Sequence, residues 1–204
     1  MTKNLCIATR NAHKVQEIEP VLAPYWTVKC TANYSEMTDI DIEETGDTFL
    51  ANATLKAVAT SQVVPDYVLA DDSGLECDAL DGAPGVFSAR YGGIPSSTER
   101  NNAKLLQELE RAGATTPQQR AARFRCVLVL AKDGNVVASF EGTCEGTIGL
   151  EAKGTNGFGY DPLFIPQGYA RTFGQLSEKT KMGLSHRGQA LKRFFEWCKA
   201  NPIE

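Results

Sequence analysis

The sequence predicts an α/β fold on a mixed β-sheet. Three observations point there. Short apolar runs that read as buried strands alternate with segments whose apolar residues recur at helical spacing. Residues 124–131 and 136–140 are strand-like and flank Lys132-Asp133-Gly134-Asn135, a turn that makes a β-hairpin. The remaining strand-like runs are isolated between helices rather than paired through tight turns.

The elements follow in order. Leu5-Cys6-Ile7-Ala8 is a short buried strand. Asn11 is placed to cap a helix carrying Val15, Ile18 and Leu22 on one face, and Pro24 lies just past its end. Residues 26–30 suit a second strand, and the polar, acidic stretch 31–46 reads mostly as loop. A second helix is predicted to start near Asp47. Phe49, Leu50, Ala53 and Ala57 form its apolar face, and Thr48, Asn52 and Lys56 line a separate polar face. Tyr67-Val68-Leu69-Ala70 is a strand that is expected to leave the sheet at Asp71-Asp72-Ser73-Gly74. A third helix spans about residues 98–111, and residues 142–150 suit a further strand. Ser185 caps a last helix with Ala190, Leu191, Phe194, Phe195 and Cys198 on one face, stopped by Asn201-Pro202. With no internal repeat, low-complexity tract or linker, residues 1–204 read as one domain or two closely joined lobes.

Composition excludes several classes. Hydrophobic residues at 42% and charged residues at 23% are ordinary for a globular protein. A net charge of −4 argues against a chain built to coat nucleic acid. Six cysteines without a C-x-x-C pair, and two histidines, argue against structural zinc and suit free thiols in a reducing cytoplasm. No signal peptide or membrane-spanning run is read.

Asp71-Asp72 carries the most chemical information. Adjacent carboxylates repel and lose hydration, and a divalent cation such as magnesium is a natural compensator, usually shared with substrate phosphates. The alternative is a pair that merely caps a turn. Glu43-Glu44 either adds a ligand or complements a helix start. Thr9-Arg10-Asn11-Ala12-His13-Lys14 joins a strand to a helix N-terminus, which suits an anion but equally an ordinary capped turn. Glycines in Gly157-Phe158-Gly159-Tyr160-Asp161-Pro162 would let a base approach the backbone and stack on a ring; the same residues also suit a core-anchored turn. Lys179, Lys181, His186 and Arg187 cluster before and within the first turn of the last helix. Cations are disfavoured there unless an external anion offsets them, although a solvated basic face also fits.

Taken in order, Thr9-Arg10-Asn11…Lys14, residues 70–75 (Ala-Asp-Asp-Ser-Gly-Leu), residues 82–91 (Gly-Ala-Pro-Gly-Val-Phe-Ser-Ala-Arg-Tyr), residues 157–162 and Ser185-His186-Arg187 resemble the inosine/xanthosine triphosphate pyrophosphatase family, also called Ham1-like. The resemblance covers nearly the whole chain. It implies an elongated mixed sheet in two lobes with a central active-site groove, and a homodimer; the charge and the lack of a spanning apolar run separately predict no stable nucleic-acid partner and no membrane partner. The resemblance also implies magnesium-dependent hydrolysis of noncanonical purine nucleoside triphosphates (ITP, dITP, XTP) to the monophosphate and pyrophosphate, which cleanses the nucleotide pool. By the same resemblance Asp72 is the catalytic base and, with Glu44, a metal ligand. Thr9, Arg10, Asn11, Ala12, His13, Lys14, Lys56 and Lys181 hold phosphates and sugar. Ser73, Phe158, Gly159, Tyr160, Asp161, His186 and Arg187 line the nucleotide and base pocket. Two positions depart from the family pattern: Arg10 replaces a glycine, and Thr172-Phe173-Gly174-Gln175 lacks the usual carboxylate. The competing readings are a house-cleaning pyrophosphatase for pyrimidine or modified nucleotides, and a non-catalytic nucleotide- or RNA-binding protein.

Overall fold

The computed structural model describes residues 3–38 and 40–201. Among these, the strands β1 (Lys3–Ala8), β2 (Trp26–Cys30), β3 (Tyr67–Cys77), β4 (Ala121–Lys132), β5 (Asn135–Ile148) and β6 (Phe164–Pro166) form one sheet in the order β2-β1-β3-β4-β5-β6. β1 pairs in parallel with both β2 and β3, whereas β5 and β6 are antiparallel, so the sheet is mixed as expected. The helices are α1 (Ala12–Leu22), α2 (Phe49–Ser61), α3 (Thr98–Arg111), α4 (Glu178–Leu184) and α5 (His186–Ala200).

The chain divides into two compact units. The first comprises Met1–Asp72, Val127–Glu141 and Ala190–Glu204; the second comprises Ser73–Cys126 and Gly142–Gln189. In the first, Leu5, Ile7, Ile18, Leu22, Ala53, Ala57 and Leu69 are fully buried. Trp26 packs at 5.3 Å from Phe194, and Phe140 meets Phe194 edge-on at 5.4 Å. In the second, Leu75, Leu105, Leu109, Phe124, Phe164 and Phe173 form the core, with the Phe124 and Phe164 rings 4.6 Å apart.

Several expectations are corrected. β3 does not leave the sheet at Asp71-Asp72; it runs on to Cys77. Leu75 and Cys77 belong to the second core, so apolar burial draws the strand past the aspartates. The turn comes later, where Asp81 and Gly82 adopt φ of 52° and 86° and the Gly82 N–H donates to the Cys77 carbonyl at 3.0 Å. The run at 136–140 and that at 142–148 are parts of one strand, β5, which stops at Ile148, so Gly149 and Leu150 of the expected 142–150 strand lie outside it. Strand β6 and helix α4 were not anticipated. Leu50, assigned to the apolar face of α2, is 43% exposed. Pro202 lies outside the described residues. No helix among the described residues is long and apolar enough to cross a membrane.

Candidate active site

The first unit builds a carboxylate–lysine centre at the end of β1. The parallel ladder stops where Ala8 pairs with Ala70, so the next carbonyl on β3, that of Asp71, lies beyond it. Two lysines take that carbonyl instead: Lys56 Nζ at 2.9 Å and Lys14 Nζ at 3.4 Å. Successive strand residues face opposite ways, and the two aspartates are shared out accordingly. Lys14 of α1 forms an ion pair with Asp71 Oδ1. Lys56 of α2 lies 3.0 Å from Asp72 Oδ1 and 3.0 Å from Glu44 Oε1.

Asp72 is only 7% exposed, and its second oxygen, Oδ2, is buried with no hydrogen-bond partner among the described residues. Burial pushes the Asp72 carboxyl above its ordinary range, against the pull of Lys56 and Lys14. Burial also works against the charge on Lys56, but Asp72 and Glu44 outweigh it and hold the ammonium above its usual value. No group of three or more His, Cys, Asp and Glu side chains gathers into a ready metal-binding cluster among the described residues. Two carboxylates with an unsatisfied buried oxygen remain. They fit a magnesium ion, which typically takes one or two protein carboxylates and completes its shell with phosphates and water.

The turn from β1 to α1 is a capped helix start. Thr9 Oγ1 accepts from the Asn11 N–H at 3.1 Å, and Asn11 Oδ1 accepts from the His13 N–H at 3.0 Å. Asn11, Ala12 and His13 are exposed, which leaves this end of α1 open to an anion. Arg10 does not reach inward: it pairs with Asp41 at 3.1 Å and donates to the Ile40 carbonyl.

The second unit gathers the other predicted residues. Lys181 Nζ lies 2.6 Å from Asp161 Oδ2, and both side chains are buried. The same oxygen accepts from the Phe158 N–H at 2.8 Å. The Phe158 ring has Lys181 Nζ 4.8 Å and Arg187 Cζ 5.8 Å from its centroid. Arg187 Nη2 donates to Ser73 Oγ at 2.9 Å. His186 stacks on Phe124, with centroids 4.8 Å apart and planes at 11°. Gly157 has φ of +72°, and a Cβ there would overlap Asp161 Oδ2. Tyr160 anchors the loop through its hydroxyl, which donates to the Ser88 carbonyl at 2.8 Å; Asn102 Nδ2 holds the Gly159 carbonyl at 3.2 Å.

The expected clash of cations with a helix N-terminus is partly removed. Lys181 sits in the last turn of α4, where a cation is favourable, and is neutralised by Asp161. Ser185 does cap α5, accepting from the Gly188 N–H at 3.1 Å. Gln175 has a structural explanation: its Oε1 accepts from the Thr172 N–H at 3.1 Å in a capping box, a motif that admits Gln and Glu alike.

The Ham1 family model matches residues 5–197. The chain belongs to the Ham1 family. It is 46% identical to a dITP/XTP pyrophosphatase of Desulforamulus reducens over 94% of each chain, and 49% identical to one of an Exiguobacterium species over 93% of each. Among solved structures, the Staphylococcus aureus Ham1 protein superposes with a TM-score of 0.85 at 39% identity, covering 97% of this chain and 99% of that one. A Ham1 protein from Coxiella burnetii matches with a TM-score of 0.85 at 36% identity, covering 98% and 100%.

Two residues of the first centre have no counterpart in the sequence reading of function. Asn52 appeared only as part of a polar helix face, and Gly46 as the end of a loop. Asn52 is fully buried and its Oδ1 accepts from the Gly46 N–H at 2.7 Å. Their signal was the i, i+4 spacing of Asn52 and Lys56 on α2.

Proposed function

We propose that the protein hydrolyses ITP, dITP and XTP to the nucleoside monophosphate and pyrophosphate, with magnesium as cofactor. The observation that carries this reading is Asp72: a buried carboxylate with one oxygen on Lys56, the other unsatisfied, and Glu44 held by the same lysine. The printed names of the relatives support the substrate class. Glu44 and Asp72 would hold magnesium, which when bound neutralises phosphate charge and polarises bound oxygens.

The chain's own residues account for the rest. Asp72 orients the attacking water and accepts its proton; burial has already raised its basicity. Lys14 and Lys56 exchange part of their carboxylate contacts for phosphate oxygens and spread positive charge along the triphosphate. The open start of α1, from Thr9 to Lys14, adds backbone donors to the same end. Phe158 offers a stacking face, and its loop is locked by Asp161 and Lys181. His186 and Arg187 supply donors toward a 6-keto oxygen. Adenine presents an amino donor there, so donors would face donors and lose their partners, a mismatch that can reject a substrate by about 10⁴-fold. A reducing cytoplasm suits the six free thiols, and the homodimer typical of the family is proposed with the activity.

Pyrophosphate release from ITP, XTP, dITP, GTP, ATP and a pyrimidine triphosphate, with and without magnesium, tests the proposal. The expected result is magnesium-dependent turnover of the 6-keto purines ITP, XTP and dITP, with little from ATP or the pyrimidine. Equal turnover of ATP, or a preference for the pyrimidine, would overturn the base assignment. Nucleotide binding without turnover would overturn the enzymatic one.

A further inference from the structure

We propose that Asn52 is a positioning residue that fixes Glu44 for metal binding through the backbone of Gly46. The inference rests on the reading of Glu44 as a metal ligand. Residues 40–46 have no regular secondary structure, so Glu44 is carried on a loop. A ligand on a loop needs support from a rigid element to hold its geometry. Helix α2 supplies that support at two points on one face. Lys56 holds the Glu44 carboxylate at 3.0 Å, and one turn earlier Asn52 Oδ1 accepts from the Gly46 N–H at 2.7 Å.

Three features make this a built arrangement rather than an incidental contact. Asn52 has no exposed surface, in a helix interior where an apolar residue would cost less. Its Nδ2 is buried with no partner among the described residues, whereas its Oδ1 takes the Gly46 N–H. The approach also requires glycine. A Cβ on Gly46 would sit 2.7 Å from Asn52 Oδ1, 2.7 Å from Ala51 Cβ and 3.0 Å from the Asn52 backbone nitrogen. The choice of amide has a further logic. A neutral acceptor tethers the loop without competing with Glu44 and Asp72 for the charge of Lys56.

The test compares Asn52→Leu, Gly46→Ala, Asn52→Asp and Glu44→Gln with the unaltered protein. Two quantities are read across a magnesium titration: the concentration giving half-maximal pyrophosphate release, and the rise in thermal midpoint that magnesium causes. Loss of a supporting group behind a metal ligand typically weakens metal affinity by about 10- to 100-fold. Asn52→Leu and Gly46→Ala are therefore expected to raise the half-saturating magnesium concentration at least about ten-fold and to flatten the thermal response. Glu44→Gln should do the same, and Asn52→Asp, which keeps an acceptor for the Gly46 N–H but adds a charge beside Lys56, should fall between Asn52→Leu and the unaltered protein in both. A merely structural Asn52 would lower the thermal midpoint without moving the magnesium dependence. If Glu44→Gln shifts that dependence while Asn52→Leu and Gly46→Ala do not, the positioning role is wrong and the ligand role of Glu44 stands. If Glu44→Gln shifts nothing, both fall. Should Asn52→Leu fail to fold, Gly46→Ala decides.

Discussion

The carboxylate–lysine centre of the first unit and the aromatic–cation cluster of the second solve opposite electrostatic problems. In the first, Asp71, Asp72 and Glu44 outnumber Lys14 and Lys56, and one carboxylate oxygen is left unsatisfied. That centre has room for more positive charge. In the second, Lys181 and Arg187 flank one ring, and Asp161 answers Lys181. That cluster is largely closed on itself and offers a ring face and oriented donors. The first is arranged to gain a partner, whereas the second is arranged to be a shaped surface. Substitutions in the first should therefore change rate and metal response, and those in the second should change stability and substrate choice.

The sharpest test of this contrast is Asp72→Asn. It keeps the shape and removes the charge and the proposed proton acceptor. Turnover at saturating magnesium should fall about 10³-fold, within the range for loss of a general base. Near-normal turnover would mean that the unsatisfied oxygen has no catalytic role. Burial disfavours the Asp72 charge and Glu44 still pairs with Lys56, so the variant should fold about as well as the unaltered protein.

Lys181→Met should behave in the opposite way. It removes the lysine from a buried pair and leaves the Asp161 carboxylate without it, a change that typically costs about 3–5 kcal/mol. Adding Asp161→Asn should recover most of that loss, as read by the denaturant midpoint, but not the substrate preference. If Lys181→Met alone leaves the midpoint unchanged, the pair is not the lock of the Phe158 loop.

The glycines of that loop refine the point. Gly157→Ala and Gly159→Ala both place a side chain at positive φ, at +72° and +61°. Each carries the left-handed backbone penalty, roughly 1–2 kcal/mol. Only at Gly157 would the new Cβ also overlap the Asp161 carboxylate, whereas nothing lies within 4 Å at Gly159. Gly157→Ala should thus be the more destabilising, and the difference measures how tightly Asp161 is held. Equal losses would show that the carboxylate yields easily.

Much of this was legible in the sequence because it is local. The Asn11 cap, the hairpin at Asp133-Gly134 and the boundaries of α3 each depend on a few neighbouring residues. What escaped was set at long range. Asp71-Asp72 looked like the end of a strand because Ser73-Gly74 resembles a turn. Burial of Leu75 and Cys77 in a second core carries the strand onward. The site nevertheless lies at a strand end, since β1 stops at Ala8 and exposes the Asp71 carbonyl to the lysines. Asn52 was seen as a polar face, but only its contact with Gly46, six residues back across the start of α2, gives that polarity a purpose. Lys181 seemed misplaced because the break between α4 and α5 was not read; once it is separated from α5, its cation faces a carboxylate and a favourable helix end.

The smallest expected effect belongs to Gln175→Glu, which restores the carboxylate of the family pattern. Gln175 closes a capping box with Thr172, whose hydroxyl in turn donates to the Lys153 carbonyl at 2.6 Å. Glutamate can accept from the Thr172 N–H as glutamine does, so stability should change by no more than about 0.5 kcal/mol. Turnover and magnesium dependence should be unmoved, because this position serves the backbone of the second unit rather than the charge balance of the first. A several-fold gain in turnover would give that carboxylate a direct part in the reaction, and the division of labour between the two regions would then be drawn in the wrong place.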